Sequence, residues 1–265
     1  MSSLSSLQMV REPPWRSGFI NMLRKENGFW WGTRKWWVQC LIWFLLLNGF
    51  VILLLWIVPA VDKGGAPSAA EVLDVFFQFL AVFAVFGVMI LMQGVIVGEK
   101  KSGTAAWIMS NPISRNAFIL AKLVANGFAI LTIIVVLQGF IAYFQFFLQG
   151  DLVIRPTSFV AALGLEALHM VFYITLALML GTLFYSRGPV IGISIAVLIG
   201  QDLIGQFIAM KFPWFPTLMP MRLVDMALPV AQGGALSSYT PVITTVLMSM
   251  SFILLAIWRF SREEF

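Results

Sequence analysis

Six stretches of this chain run for about 20 residues or more almost without charge, and no other feature limits the fold so strongly, because 20 apolar residues at about 1.5 Å rise each span the hydrocarbon of a bilayer. They cover residues 37–58, 72–97, 117–148, 159–185, 190–210 and 241–258. The first is expected to stop at Pro59 and the turn-rich run after it, and the third is long enough to tilt or to project beyond the membrane. Composition agrees: 11% charged residues, 24 Phe and a mean hydropathy of +0.92 do not suit a water-soluble globule, in which about a quarter of residues carry charge. The expected fold is all-α: a single polytopic membrane domain over residues 37–258, flanked by residues 1–36 and a tail of 259–265. The polar, Pro-interrupted start lacks the features of a cleaved signal, so the chain reads as mature from Met1.

An even number of spans places both termini on one side, and basic residues indicate which. Of the 17 Lys and Arg, thirteen fall before the first span, in the second connection, beside the fourth, or in the tail; only Lys63, Arg155, Lys211 and Arg222 fall on the other face. Both termini are therefore expected in the cytoplasm. The net charge of +5 is accounted for by this bias and calls for no nucleic-acid partner. Before the first span, Arg and Lys alternate with Trp15, Phe19, Ile20, Leu23, Phe29, Trp30 and Trp31, the pattern of an amphipathic helix lying among lipid headgroups. One Cys (Cys40) and one His (His169) can build neither a disulfide framework nor a multi-ligand His/Cys metal site within the chain.

Residues 97–116 interrupt the apolar run. Glu99, Lys100 and Lys101 mark emergence into water, Ser102 or Thr104 can cap a short helix, Asn111 and Pro112 end it, and Ser114 starts the next helix. A helix this short is marginal in water and needs a surface to pack on. Trp107, Ile108 and Met109 either fold back on the bundle or serve as anchors for a partner in the cytoplasm.

Six spans, a preceding interfacial helix, and Glu99, Gly103, Thr104, the apolar turn at Trp107 to Met109, Pro112, Ser114, Arg115 and Lys122 in that order resemble the permease subunit of type-2 ATP-binding-cassette (ABC-2) exporters. Ala105, Ala106 and Trp107 stand where Leu-Glu is frequent in that family. The resemblance implies a transport subunit and not an enzyme. Its loop would be a coupling helix seated in a separate ATP-hydrolysing subunit, with Glu99, Lys100, Gly103, Thr104, Trp107, Ile108, Pro112 and Arg115 as the contact. It also implies ATP and Mg in that partner with no cofactor here, a second permease subunit, identical or homologous, and the plasma (inner) membrane of a prokaryote. The chain itself has no Gly-x-x-x-x-Gly-Lys-Ser/Thr phosphate loop.

Gly188, Gly192, Ala196 and Gly200 put a small residue at every fourth position of the fifth span. Such a row lets another helix approach closely, either within the chain or across a dimer; the resemblance places the first and fifth spans at the dimer interface. Residues 211–240, Pro-rich yet apolar, form an outer re-entrant region or an interfacial hairpin. Glu166, His169 and Asp202 lie inside spans, where ionisable groups line a substrate path, relay protons, or satisfy interhelical hydrogen bonds. Two further functions share these features. One is a permease-like anchor that transmits ATP-driven motion to another protein. The other is an intramembrane enzyme using Glu166, His169 and Asp202, although no Gly-x-Ser-x-Gly or paired-Asp arrangement accompanies them.

Overall fold

The computed structural model describes residues 18–62, 64–110 and 113–263, with Asp202 described by its backbone alone. Among the described residues all regular structure is helical, and six helices are long and apolar enough to cross a membrane. Helix α1 (Phe19–Trp31) precedes the first span, α2 (Lys35–Val61). The second span is α3 (Ala69–Lys101), the short helix α4 (Thr104–Met109) follows, and α5 (Arg115–Gln149) is the third span. Then come α6 (Pro156–Leu183) and α7 (Arg187–Ala209), a 3₁₀ turn at Phe215–Leu218, the short α8 (Arg222–Ala231), and the last span, α9 (Thr240–Ser261).

The fourth span, α6, is the axis of the bundle. It packs on α9, α8, α3, α7 and α5, and its residues from Phe172 to Leu178 are all buried, as expected of a helix that is apolar on every side. Helix α8 inserts Leu223, Val224, Met226, Ala227 and Val230 against this axis, so the region after the fifth span returns into the bundle. Where helices meet most closely, glycine is required: a Cβ on Gly87 of α3 would lie 2.0 Å from the ring of Trp43 in α2, a ring that is itself 4% exposed. Gly87→Ala is therefore expected to lower stability by about 1–3 kcal/mol through overpacking, read as a lower thermal midpoint in detergent.

Two sequence expectations are corrected. Pro59 does not stop the first span, which continues to Val61 and ends at extended Asp62. Proline lacks the N–H of a regular ladder, and α2 is π-helical at Phe44–Asn48 and at Leu53–Ile57, immediately before Pro59, where its hydrogen-bond register shifts. Second, the second span does not end at Val97: after a turn at residues 93–96 the helix resumes through Lys101. The charged triplet Glu99 to Lys101 is thus part of the span's last turns and not of a loop.

The π-helical stretches also hold a buried amide network. Asn48 Nδ2 donates to Gln138 Oε1 at 2.8 Å, Gln145 Nε2 donates to Asn48 Oδ1 at 2.8 Å, and Gln138 Nε2 donates at 3.2 Å to the carbonyl of Ile133 in the π-helical Leu131–Val136 segment of α5. Carbonyls displaced from the regular ladder need donors in an apolar setting, and this network ties α2 to α5.

Candidate functional site

The charged residues gather where α1, the end of α3, α4, the start of α5 and the end of α9 converge. Helix α4 stands out from this assembly. Its N-cap is Gly103, at φ 72°, with no side-chain cap; this left-handed geometry suits glycine, and it replaces the capping expected from Thr104. Ser102 serves instead as a bracket, its Oγ 2.7 Å from Thr104 Oγ1. Ala105 and Ile108 are buried while Ala106 and Trp107 face outward, with Trp107 71% exposed. The chain re-enters the bundle at Ser114, whose Oγ accepts from the Ala117 N–H at 3.1 Å and caps α5 as the sequence indicated.

On one side of α4, Met22, Glu26 and Trp30 recur every fourth residue along the buried face of α1. They meet Lys122 and Asn126, four apart on α5: Lys122 Nζ lies 2.9 Å from Glu26 Oε1, and Trp30 Nε1 donates to Asn126 Oδ1 at 2.9 Å. Glu99 Oε1, from the end of α3, accepts from both Lys122 and Lys25 at 3.1 Å. The amino-terminal helix is thus bolted to the second and third spans and does not merely rest on a membrane surface.

On the other side, Lys100 points into a second cluster. Its Nζ sits 2.8 Å from Glu263 Oε1, donates to the Thr182 carbonyl at 3.0 Å and lies 4.0 Å from the centre of the Tyr185 ring. Tyr185 donates to the same carboxylate, which pushes its phenol above the ordinary tyrosine value and keeps the donor proton in place. Arg115 Nη1 donates to the carbonyls of Ser261 at 2.6 Å and Glu263 at 2.7 Å, satisfying acceptors left over where α9 ends. Phe118 and Phe260 stack beside it, 4.9 Å apart and 4° from parallel.

Successive residues of a helix point about 100° apart, so the neighbours Glu99 and Lys100 send the motion of one helix end in two directions. Lys35 of α2 stands 3.6 Å over the Trp30 ring, and the Arg187 guanidinium of α7 lies against Gly94 and Gly98 of α3. All six spans therefore touch the joint from which α4 projects.

Of the eight residues expected at a partner contact, Gly103, Thr104 and Trp107 lie on the outer surface of the loop. Ile108 is turned inward at 3% exposure, and Glu99, Lys100 and Arg115 bond within the chain. Pro112 lies outside the described residues. Glu26, Asn126 and Glu263 escaped sequence reasoning; for Glu26 the signal was Lys122, a cation inside an apolar stretch that required an acidic partner.

Gly188, Gly192 and Ala196 are exposed, and nothing among the described residues lies within 4 Å of a Cβ at Gly188 or Gly192. Among the described residues, the start of the small-residue row at Gly188 and Gly192 therefore packs on no other helix. Glu166 and His169 are fully buried in α6, and none of their four polar side-chain atoms has a hydrogen-bond partner among the described residues. The His169 ring meets Tyr173 edge to face at 5.2 Å; Gln201 donates to the Tyr173 hydroxyl at 2.9 Å and accepts from the Met221 N–H at 3.3 Å. The side chain of Asp202 lies outside the described residues. No group of three or more His, Cys, Asp or Glu arranged for a metal occurs among the described residues.

The family described as "Protein of unknown function (DUF2705)" matches residues 35–265, every span included. The chain belongs to this family. A DUF2705 chain is accordingly a multi-pass membrane protein in this instance, and one similar protein is named as transmembrane: the "Uncharacterized transmembrane protein YxlG" of Bacillus subtilis (strain 168), 25% identical over 203 residues, which cover 75% of each chain. The DUF2705 match begins at the first residue of α2 and so excludes α1.

Proposed function

We propose that this chain is the transmembrane permease subunit of an ABC-2 exporter, resident in a prokaryotic plasma membrane with both termini cytoplasmic. In this role it pairs with separate ATP-hydrolysing subunits and with a second permease subunit. The observation that carries the reading is the placement of α4: a short helix with an exposed Trp107, mounted between two buried charge clusters that reach all six spans. A push on that helix moves Glu99 and Lys100 together, and through them α1, α5, α6 and α9. A handle exposed at its tip and rigid at its root suits nucleotide-driven force supplied from outside the chain, since the chain lacks a phosphate loop of its own. The unpacked row at Gly188, Gly192 and Ala196 supports a dimer through α7. Glu166 and His169 form no nucleophile–base hydrogen bond among the described residues, which gives the enzymatic alternative no support.

A photoreactive residue at Ala106, exposed beside Trp107, tests the handle: ultraviolet cross-linking in native membranes should give an adduct with an ATP-binding-cassette subunit, and adducts with lipid alone would count against the reading. Glu166 supplies a second prediction. A buried polar group left unpartnered costs about 1–3 kcal/mol, so Glu166→Leu should raise the thermal midpoint of the purified chain while lowering transport. A gain in stability with transport unchanged would remove Glu166 from the path.

A further inference from the structure

At the end of the bundle remote from α4, the last turns of α7, the 3₁₀ turn after it and the start of α8 border a cavity of ≈ 230 Å³. Its lining is mostly polar: Gln201 and Gln206 stand on α7, Arg222 and Asp225 on α8, and Met219 and Met221 lie between. Polar groups at membrane depth are tolerated where protein buries them or where they line a water-filled space. Gln201 meets both conditions, because it reaches the cavity yet is only 7% exposed. Its Nε2 donates to the Tyr173 hydroxyl at 2.9 Å and its Oε1 accepts from the Met221 N–H at 3.3 Å; the second N–H of Nε2 has no acceptor among the described residues.

Behind Gln201 the polar groups continue. Glu166, His169 and Tyr173 follow one another at spacings of three and four, which puts them on one face of α6, and all three are fully buried. The His169 ring abuts Tyr173, and neither Glu166 nor His169 has a hydrogen-bond partner. Ionisable groups kept inside spans at such a cost mark pathways that water or a solute enters in another arrangement of the helices. Gln201, bonded to Tyr173 on one side and facing the cavity on the other, separates that column from the cavity.

We propose that this cavity is the outer mouth of the substrate path, that Gln201 gates it from Glu166 and His169, and that it takes a small uncharged group bearing hydroxyls or amides. The chemistry of the lining selects that class. Arg222 and Asp225, the charged groups among the described lining residues, pair with each other at 2.7 Å, so the carboxamides are left to meet a solute. A carboxamide donates and accepts at once, as hydroxyls and amides do in return. The volume falls below the about 300–1,000 Å³ of pockets for drug-sized ligands, so the group it takes is small. The inference rests on the transport reading for its direction, but its test needs no ATP-hydrolysing partner.

Thiol labelling of the full-length chain in intact cells reads the mouth directly, in a Cys40→Ser background that removes the one native cysteine. With membrane-impermeant methanethiosulfonates, Gln206→Cys should react about a hundredfold or more faster than Met250→Cys, which stands on the exposed apolar face of α9, because a hydrated thiol ionises and a thiol in hydrocarbon does not. His169→Cys should be protected alone and become reactive when combined with Gln201→Ala. The cationic trimethylammonioethyl and anionic sulfonatoethyl reagents should modify Gln206→Cys at rates within about threefold of one another, each scaled to a free thiol, whereas a charged mouth would favour one sign by about tenfold or more. Protection of Gln206→Cys equal to that of Met250→Cys, or its modification only in inverted vesicles, would overturn the outer mouth. An unreactive His169→Cys/Gln201→Ala variant that still folds would overturn the gate, and a strong preference for one charge would overturn the uncharged substrate class. Labelling as expected in a chain that purifies without any ATP-hydrolysing subunit would support the mouth while contradicting the exporter assignment.

Discussion

If the chain is the permease subunit proposed above, replacing Trp107 with alanine is expected to detach it from a separate ATP-hydrolysing subunit while leaving the membrane bundle intact. The ring is 71% exposed in the described structure, and alanine is at least as good a helix former as tryptophan, so the thermal midpoint of the purified subunit should hardly move. At an interface, by contrast, a buried Trp anchor commonly contributes 2 kcal/mol or more, equivalent to roughly thirtyfold in affinity. Retention of the ATPase through purification and transport-coupled ATP hydrolysis should therefore fall together. Ile108→Ala provides the opposite case from the adjacent residue. Ile108 is 3% exposed and belongs to the core, so its truncation should cost about 2–5 kcal/mol of stability. If Trp107→Ala instead unfolded the bundle, the ring would be a structural element and not a handle.

Lys122→Met should lower stability by about 3–5 kcal/mol, because it strands the buried Glu26 carboxylate without its salt-bridge partner. Lys122 has 3% of its side chain exposed and pairs with Glu26 at 2.9 Å and Glu99 at 3.1 Å. Glu99 keeps Lys25 as a partner; Glu26 keeps no salt bridge among the described residues. The double variant Glu26→Gln/Lys122→Met should recover most of the loss, since removing both charges avoids the penalty of leaving one unpaired. A double-mutant cycle of thermal midpoints in detergent measures the coupling, and additive losses would show that the two side chains stabilise the chain separately.

The sequence made the bilayer and six spans legible because length and apolar composition alone decide whether a helix crosses hydrocarbon. It placed α4 between a Ser102 or Thr104 cap and the Asn111-Pro112 stop and started α5 at Ser114; Ser114 does cap α5, whereas the N-cap of α4 is Gly103 in a left-handed turn. What it concealed depends on approach between distant segments. Glu26 and Lys122 are 96 positions apart, and Lys100 and Glu263 are 163 apart; no local pattern pairs them. Glu99, Lys100 and Lys101 looked like groups emerging into water because each is charged next to an apolar run; Lys101 is exposed, yet partners from other helices fold Glu99 and Lys100 inward. The π-helical stretches of α2 and α5 escaped notice because their register shifts follow from tertiary packing around Asn48, Gln138 and Gln145. The row on α7 was visible as a spacing, and the fold adds that no other helix among the described residues covers it at Gly188 and Gly192.

The most direct test of the permease assignment is purification of the tagged chain from its native membranes, with mass spectrometry of the proteins retained and ATP hydrolysis measured on the eluate. The assignment predicts a stoichiometric ATP-binding-cassette subunit, hydrolysis in the eluate, and loss of both when Trp107 is replaced by alanine. An intact, folded chain recovered without any nucleotide-hydrolysing partner would contradict it.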